Sequence, residues 1–133
     1  MLIKQGFTLV ELIIVIVILG ILVTLAIPAY RNTQERALDK EAASSLRTIQ
    51  AAEKIYYMEI GAYYDSTGAS ALDHIKNLNT SLKLSLPQGN NRNWNYETNA
   101  NGCAKAARNQ TDGRTFSLTV SSDDDPLSPA NCP

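Results

Sequence analysis

The longest apolar segment of this chain opens with Gly6-Phe7-Thr8-Leu9-Val10-Glu11 and runs on to Tyr30 with Glu11 as its one charged residue. At the rise of an α-helix the part after Glu11 is about 30 Å long, which matches the hydrocarbon core of a bilayer. A carboxylate costs about 2.5–3.5 kcal/mol in the middle of a membrane helix. The stretch therefore predicts a membrane-length helix whose acidic residue has a function.

The residues around this segment form a specific pattern. They are a basic leader at 1–6 that ends in glycine, the motif Phe7-Thr8-Leu9-Val10-Glu11, and Pro28 and Tyr30 in the same apolar run. The pattern resembles the class III signal peptide of the type IV filament superfamily, which includes type IV pilins and the pseudopilins of type II secretion. The resemblance implies cleavage between Gly6 and Phe7 by a prepilin peptidase, and N-methylation of Phe7. Because the cleavage site precedes the apolar helix, the helix stays with the mature protein, unlike an ordinary secretory signal.

The resemblance also implies an α+β fold, the type IV pilin fold, in which a long N-terminal helix packs on a C-terminal antiparallel β-sheet. We predict one helix from Phe7 to about Ile60, with a transmembrane or filament-core part at 7–30 and an amphipathic continuation at 31–60. Pro28 lacks a backbone donor, so a kink or local loosening is expected just before it. Gly61 is a suitable place for the helix to end.

The amphipathic part has two predicted faces. The inner face, with Glu53 as its one misfit, comprises Leu38, Ala42, Leu46, Ile49, Glu53, Tyr56 and Ile60. The opposite face carries Arg36, Lys40, Arg47, Gln50 and Lys54. The pattern favours packing of one side against a folded domain.

The rest of the sequence predicts a loop followed by a sheet. Residues 61–82 correspond to the αβ-loop of the family, with a short helix predicted over Ser70–Leu78. Residues 83–133 are predicted to hold the antiparallel sheet and a disulfide-closed C-terminal region. The predicted strands are Lys83–Leu86, a short strand with Trp94 and Tyr96, Cys103–Arg108 (whose alanines also suit a helix), and Thr115–Val120.

The two cysteines are Cys103 and Cys132. By the resemblance this part of the chain is exported to an oxidising compartment, where a disulfide persists. We predict that they are bridged, which would be worth about 3.5 kcal/mol in the chain-entropy model; two unpaired thiols are the alternative. No CxxC pair is present and His74 lies far away in sequence, so we expect no cofactor and no cysteine–histidine metal site.

An acidic run, Asp123-Asp124-Asp125, lies near the end of the sequence. We interpret it as a solvated turn. Calcium binding through its carboxylates is the alternative, since major pseudopilins bind calcium near their C-termini.

By the resemblance, Phe7, Glu11 and Pro28 are assembly residues. In the family, the carboxylate of Glu11 neutralises the Phe7 amine of a neighbouring subunit. The residues alone also permit a simpler role, in which Glu11 complements the N-terminus of its own helix and gains about 0.3–1 kcal/mol.

The sequence contains no His–Cys pairing for nucleophilic catalysis, no phosphate-cradling glycine loop and no HExxH motif, so an enzyme is not expected. Twelve basic residues against thirteen acidic ones give no support for specific nucleic-acid binding.

The resemblance implies a structural subunit of a type IV pilus, inserted in the inner membrane as a prepilin, cleaved, N-methylated and assembled into an extracellular filament. Its implied partners are copies of itself, the prepilin peptidase, and the pilus assembly platform and motor proteins. The alternative is a pseudopilin that acts as a periplasmic piston in a type II secretion system.

Overall fold

The computed structural model describes residues 6–109 and 113–120, apart from the side chains of Pro28 and Leu72. In this part of the chain the elements are α1 (Leu9–Ile60), α2 (Ala71–Ser81), β1 (Trp94–Thr98), β2 (Cys103–Arg108) and β3 (Thr115–Thr119). The three strands form one antiparallel sheet in the order β1-β2-β3. The predicted α+β class, with a long N-terminal helix and a C-terminal antiparallel sheet, is confirmed.

The chain divides into two units, Met1–Ala37 and Leu38–Pro133, and α1 contributes to both. In the first unit, every described side chain from Gly6 to Tyr30 is exposed. Judged by length and composition, α1 is the one helix within the described residues that could cross a membrane. The apolar surface of this half therefore finds no cover in the described part of its own chain.

In the second unit, α1 buries the face that its sequence predicts. Ala42, Leu46 and Ile49 are fully buried and belong to one hydrophobic core with α2 and the sheet. Ile60, predicted on this face, is 62% exposed, and that prediction is wrong. The reason is that α1 ends at this residue and Gly61, with φ of 81°, turns the chain away from the helix.

The helix predicted over Ser70–Leu78 is present as α2, and side chains at its start explain its position. Ser70 is the N-cap: its hydroxyl accepts a hydrogen bond from the Asp73 backbone N–H at 3.3 Å and donates one to the Asp73 carboxylate at 2.6 Å. This cap satisfies a backbone donor that the first turn would otherwise leave without a partner.

The strand predicted over Lys83–Leu86 does not form, because α2 ends there in a capping turn. Lys83 adopts a left-handed φ of 53°, and the Leu84 N–H donates to the Asn79 carbonyl at 3.1 Å, as in a Schellman motif. The Asn79 side chain then bonds both the N–H and the carbonyl of Leu86, at 2.8 and 2.9 Å. These backbone groups are thus satisfied by an amide side chain instead of a neighbouring strand.

The sheet presents one face to the core. Its register pairs Trp94 with Arg108, Tyr96 with Ala106, Thr98 with Ala104, Ala106 with Phe116 and Ala104 with Leu118. The alternation predicted for the last strand is only partly reproduced, since Ser117 on the other face is also buried. The alanines of β2 that also suited a helix lie in the central strand, where Ala106 pairs with Tyr96 and Phe116, and Ala104 pairs with Thr98 and Leu118.

The turn between β1 and β2 requires glycine at position 102 for two reasons. Gly102 has φ of 73°, in the left-handed region that favours glycine. A Cβ at this position would also lie 2.9 Å from the ring of Tyr63. The turn is thereby fitted against the loop that follows α1.

Polar contacts join the second-unit part of α1 to the sheet. The Trp94 indole donates to the Leu38 carbonyl at 2.9 Å, and Arg114 pairs with Asp39 at 2.9 Å. Gln50 was predicted on the face opposite the core, but its amide donates to the Thr119 carbonyl at 2.9 Å. Gln50 lies at the edge of the buried face, which places the end of β3 beside α1.

Candidate functional site

The predicted processing site lies just before α1. Gly6 and Phe7 precede the helix, which begins at Leu9, and the Phe7 side chain is 86% exposed. An exposed backbone outside regular structure is accessible to a protease. The geometry is compatible with cleavage at this junction, which stays a prediction, as does N-methylation of Phe7.

Glu11 lies in the first turn of α1 and forms a capping box with Thr8. The Glu11 carboxylate accepts hydrogen bonds from the Thr8 N–H and from the Thr8 hydroxyl, both at 2.8 Å. In return the Glu11 N–H donates to the Thr8 hydroxyl at 3.2 Å. Thr8 and Glu11 have the spacing typical of this motif, Ser or Thr followed three residues later by Glu.

The capping box holds the Glu11 carboxylate in place through only one of its two oxygens. Both bonds from Thr8 reach the same oxygen, Oε2. A carboxylate has about four acceptor positions, so the second oxygen can still receive a cation from another chain. Sequence reasoning noted Glu11 but missed the role of Thr8, although the threonine-x-x-glutamate spacing was a usable signal.

The other predicted site residues lie elsewhere along the chain. Pro28 is inside α1, which continues past it to Ile60, so the proline does not end the helix. Cys103 is the first residue of β2, buried and disulfide-bonded. Its predicted partner Cys132 and the acidic run Asp123–Asp125 lie outside the described residues, so both the pairing and the calcium alternative stay predictions.

Within the residues that the structure describes, no group of three or more His, Cys, Asp or Glu side chains is arranged to hold a metal ion. Of the residues discussed above, Gly6, Phe7, Thr8 and Glu11 lie together at the N-terminal end of α1. Cys103 belongs to the second unit.

A second polar centre, which sequence reasoning saw only as a misfit, surrounds Glu53. This carboxylate is fully buried and accepts a hydrogen bond from the Tyr64 N–H at 2.9 Å. The Tyr64 carbonyl in turn accepts from the Thr98 hydroxyl at 2.8 Å, and Thr98 is also bonded to Ser66. Glu53 therefore ties α1 to the loop after it and to the end of β1.

Burial raises the pKa of Glu53 above its ordinary value of 4.5, since desolvation outweighs the bonds from Tyr64 and Thr98. One oxygen, Oε1, is buried without a hydrogen-bond partner. This centre has the character of a structural anchor for the αβ-loop, because Glu53 bonds to the backbone N–H of Tyr64 in that loop and to the side chain of Thr98 on β1.

The N-terminal site matches known proteins. Residues 1–27 match the family model described as a prokaryotic N-terminal methylation motif. The chain is 41% identical over 62 residues to the type IV major pilin protein PilA of Myxococcus xanthus, which is 47% of this chain and 28% of that protein. It is 42% identical over 67 residues to the type IV major pilin protein PilE of Neisseria gonorrhoeae, which is 50% of this chain and 40% of that protein.

A third relative comes from a secretion system. The chain is 35% identical over 60 residues to the type II secretion system core protein G of Pectobacterium carotovorum subsp. carotovorum, which is 45% of this chain and 38% of that protein. The match spans less than half the length of each of these three relatives. By their names the relatives are pilins and a secretion-system core protein rather than enzymes. With the methylation motif and the long apolar helix in place, the resemblance of this chain to the type IV pilins is confirmed.

Proposed function

We propose that this chain is the structural subunit of a type IV pilus, inserted in the inner membrane as a precursor, cleaved after Gly6, methylated on Phe7 and assembled with copies of itself into an extracellular filament. The observation that carries the proposal is the fully exposed apolar half of α1 directly after the Gly6-Phe7 junction. Its partners are the prepilin peptidase, the assembly platform and the motor proteins. Its role is architectural and not catalytic.

The exposed half of α1 needs an apolar environment at every stage. Apolar surface gains about 25 cal/mol for each Å² removed from water, so a row of half-exposed leucines, isoleucines and valines strongly favours burial. A bilayer provides this environment to the precursor. In the filament, the same helices of neighbouring copies provide it.

Glu11 then sets the position of each incoming subunit. Cleavage creates a positive amine at Phe7, and docking buries carboxylate and amine among apolar helices. An unpaired buried charge costs several kcal/mol. Pairing of Glu11 with the Phe7 amine of a neighbour removes that cost at one axial offset, so the charge selects register while the apolar contacts supply binding energy.

The capping box allows a sharp test of this proposal. Glu11→Ala should abolish surface filaments, because it removes the charge partner of the neighbouring amine. Thr8→Ala is the matched control: it removes the bonds within the chain but keeps the carboxylate. We expect Thr8→Ala to assemble filaments at a yield within about twofold of the unmodified protein, since a lost cap costs only about 1 kcal/mol.

The measurements are quantitative electron microscopy of sheared filaments and mass spectrometry of the subunits, which checks that each variant begins at a methylated Phe7. Equal loss of filaments in Thr8→Ala and Glu11→Ala, with normal processing in both, would assign Glu11 to capping alone. A subunit that retains Met1 within filaments would contradict the cleavage step.

The similarity to a type II secretion core protein supports a second candidate, a pseudopilin that acts as a periplasmic piston. The two functions differ in where the subunit accumulates. A pilus subunit is recovered in filaments sheared from the cell surface, and its deletion leaves protein secretion intact. Loss of secreted enzymes on deletion, without surface filaments in the parent cell, would favour the pseudopilin.

A further inference from the structure

The apolar half of α1 lies between two charged residues. No charged residue occurs between Glu11 and Arg31 in the sequence. About twenty residues of α-helix span about 30 Å, which matches the hydrocarbon core of a bilayer. In a helix that spans a bilayer with Glu11 at one interface, Arg31 therefore reaches the opposite interface, where the phosphates of the lipid headgroups lie.

An open cavity runs along the end of this apolar half. It has a volume of about 380 Å³ and follows one side of the helix, on which residues recur at three- and four-residue spacing. Its lining residues are all exposed, and they are Val23, Ala26, Ile27, Tyr30, Arg31 and Gln34. The cavity is thus apolar toward the middle of the apolar half and polar toward its end.

The polar end of the cavity carries a positive charge. None of the described residues that line the cavity is acidic. The ion pairs among the described residues do not include the Arg31 guanidinium, and Glu35, one helical turn further on, does not pair with it. Gln34 adds an amide donor beside the guanidinium. This end of the cavity therefore favours an anion over a cation.

A phospholipid matches both ends of the cavity. The planar guanidinium of arginine binds two phosphate oxygens at once, and an acyl chain matches the apolar side chains of Val23 and Ile27. Tyr30 is 70% exposed and lies at the boundary between the two parts, as tyrosines do at membrane interfaces. The small side chain of Ala26 leaves room for the chain.

We propose that this cavity holds one anionic phospholipid while the subunit is in the membrane, with the headgroup phosphate on Arg31 and Gln34 and an acyl chain along Val23 and Ile27. This inference rests on the proposed function, because it needs α1 to span a bilayer. The bound lipid fixes the depth and the rotation of the helix before the subunit joins a filament.

The first experiment measures lipid retention by native mass spectrometry of the purified chain in detergent micelles. The probes are anionic phosphatidylglycerol and zwitterionic phosphatidylcholine with the same acyl chains. One phosphatidylglycerol should stay bound to each chain, and phosphatidylcholine should be retained less. Arg31→Gln should reduce the retention of phosphatidylglycerol about fivefold, the factor expected for one basic residue at an anionic membrane surface.

The matched control for the charge is Arg36→Gln. Arg36 is also exposed, but it lies on the opposite side of α1 from Ile27, so its loss should leave the retention of phosphatidylglycerol unchanged.

The second experiment tests the apolar part of the cavity. Ala26→Leu fills the space for the acyl chain and should reduce the retention of both lipids. Ala29→Leu adds the same atoms on the other side of the helix and should leave it unchanged. An excess of inorganic phosphate at constant ionic strength should not displace phosphatidylglycerol, since the acyl chain contributes to its binding.

Four outcomes would overturn the inference. Equal effects of Arg31→Gln and Arg36→Gln would assign the lipid to general surface charge, and unchanged retention in Ala26→Leu would remove the acyl-chain contact. Displacement by inorganic phosphate would make this a site for a simple anion, and dimers without bound lipid would mean that a second copy covers this face. In each case the pilus proposal would stand, whereas absence of the unmodified chain from both membranes and sheared filaments would contradict both.

Discussion

The two halves of α1 belong to one continuous helix, but their side chains have different surroundings. Before Tyr30 the helix is apolar on all sides and exposed on all sides, whereas after Leu38 it is amphipathic and buries one face. The first half can be covered only by something outside the described chain. The buried face of the second half is covered by α2 and the sheet. One helix thus leaves its apolar first half uncovered and contributes its second half to a hydrophobic core.

The largest expected difference comes from making the same substitution, leucine to alanine, in each half of α1. Leu46→Ala, at a residue that is 0% exposed, should lower the free energy of unfolding by about 2–5 kcal/mol. Leu19→Ala, at a residue that is 53% exposed, should leave it unchanged within about 0.5 kcal/mol. Urea unfolding of the full chain in detergent, followed by Trp94 fluorescence, measures both. Equal effects would mean that the first half contributes to the folded core.

The next prediction concerns pH and is confined to the second half. Because burial raises the pKa of Glu53 in the folded protein above 4.5, the unfolded chain releases this proton at lower pH. The contribution of Glu53 to the free energy of unfolding should therefore be largest below pH 4.5. It should decrease as the pH rises through the pKa that Glu53 has in the folded protein. Glu53→Gln should flatten that decline.

The control for this prediction is Glu59→Gln, which changes an exposed glutamate near the end of the same helix. It should keep the pH dependence of the unmodified protein. An unaltered pH profile in Glu53→Gln, measured by urea unfolding between pH 4 and 8, would show that Glu53 does not titrate differently in the folded state.

The smallest expected effect concerns the end of α2. It tests whether the residues next to a helix end determine where the helix stops, as the Thr8–Glu11 capping box does at the start of α1. Lys83 has a left-handed φ of 53°, which costs a non-glycine residue about 1 kcal/mol. Lys83→Gly should therefore raise the free energy of unfolding by about 0.5–1 kcal/mol. Lys76→Gly, inside α2, should lower it by about 1 kcal/mol. The same sign for both variants, in thermal unfolding, would contradict a local cap.

Much of the fold follows from local signals in the sequence. The apolar run predicts α1, and the spacing of Ala42, Leu46 and Ile49 predicts its buried face. The strand predicted over Lys83–Leu86 does not form. An alternating pattern indicates which side chains are buried, but it does not indicate which group will hydrogen-bond to the backbone. There the partner is the side chain of Asn79, a choice that depends on how α2 ends.

What the sequence determined by itself is the N-terminal half: the Gly6-Phe7 junction, the membrane-length helix and its single carboxylate depend on neighbours within a few residues. Only the tertiary structure decided the roles of Glu53 and Gln50. Glu53 looked like a misfit because its partners, the Tyr64 backbone and the Thr98 network, come from segments beyond its own helix. A buried polar group is stable only where such partners meet it, and spacing along one helix does not encode where other segments will lie.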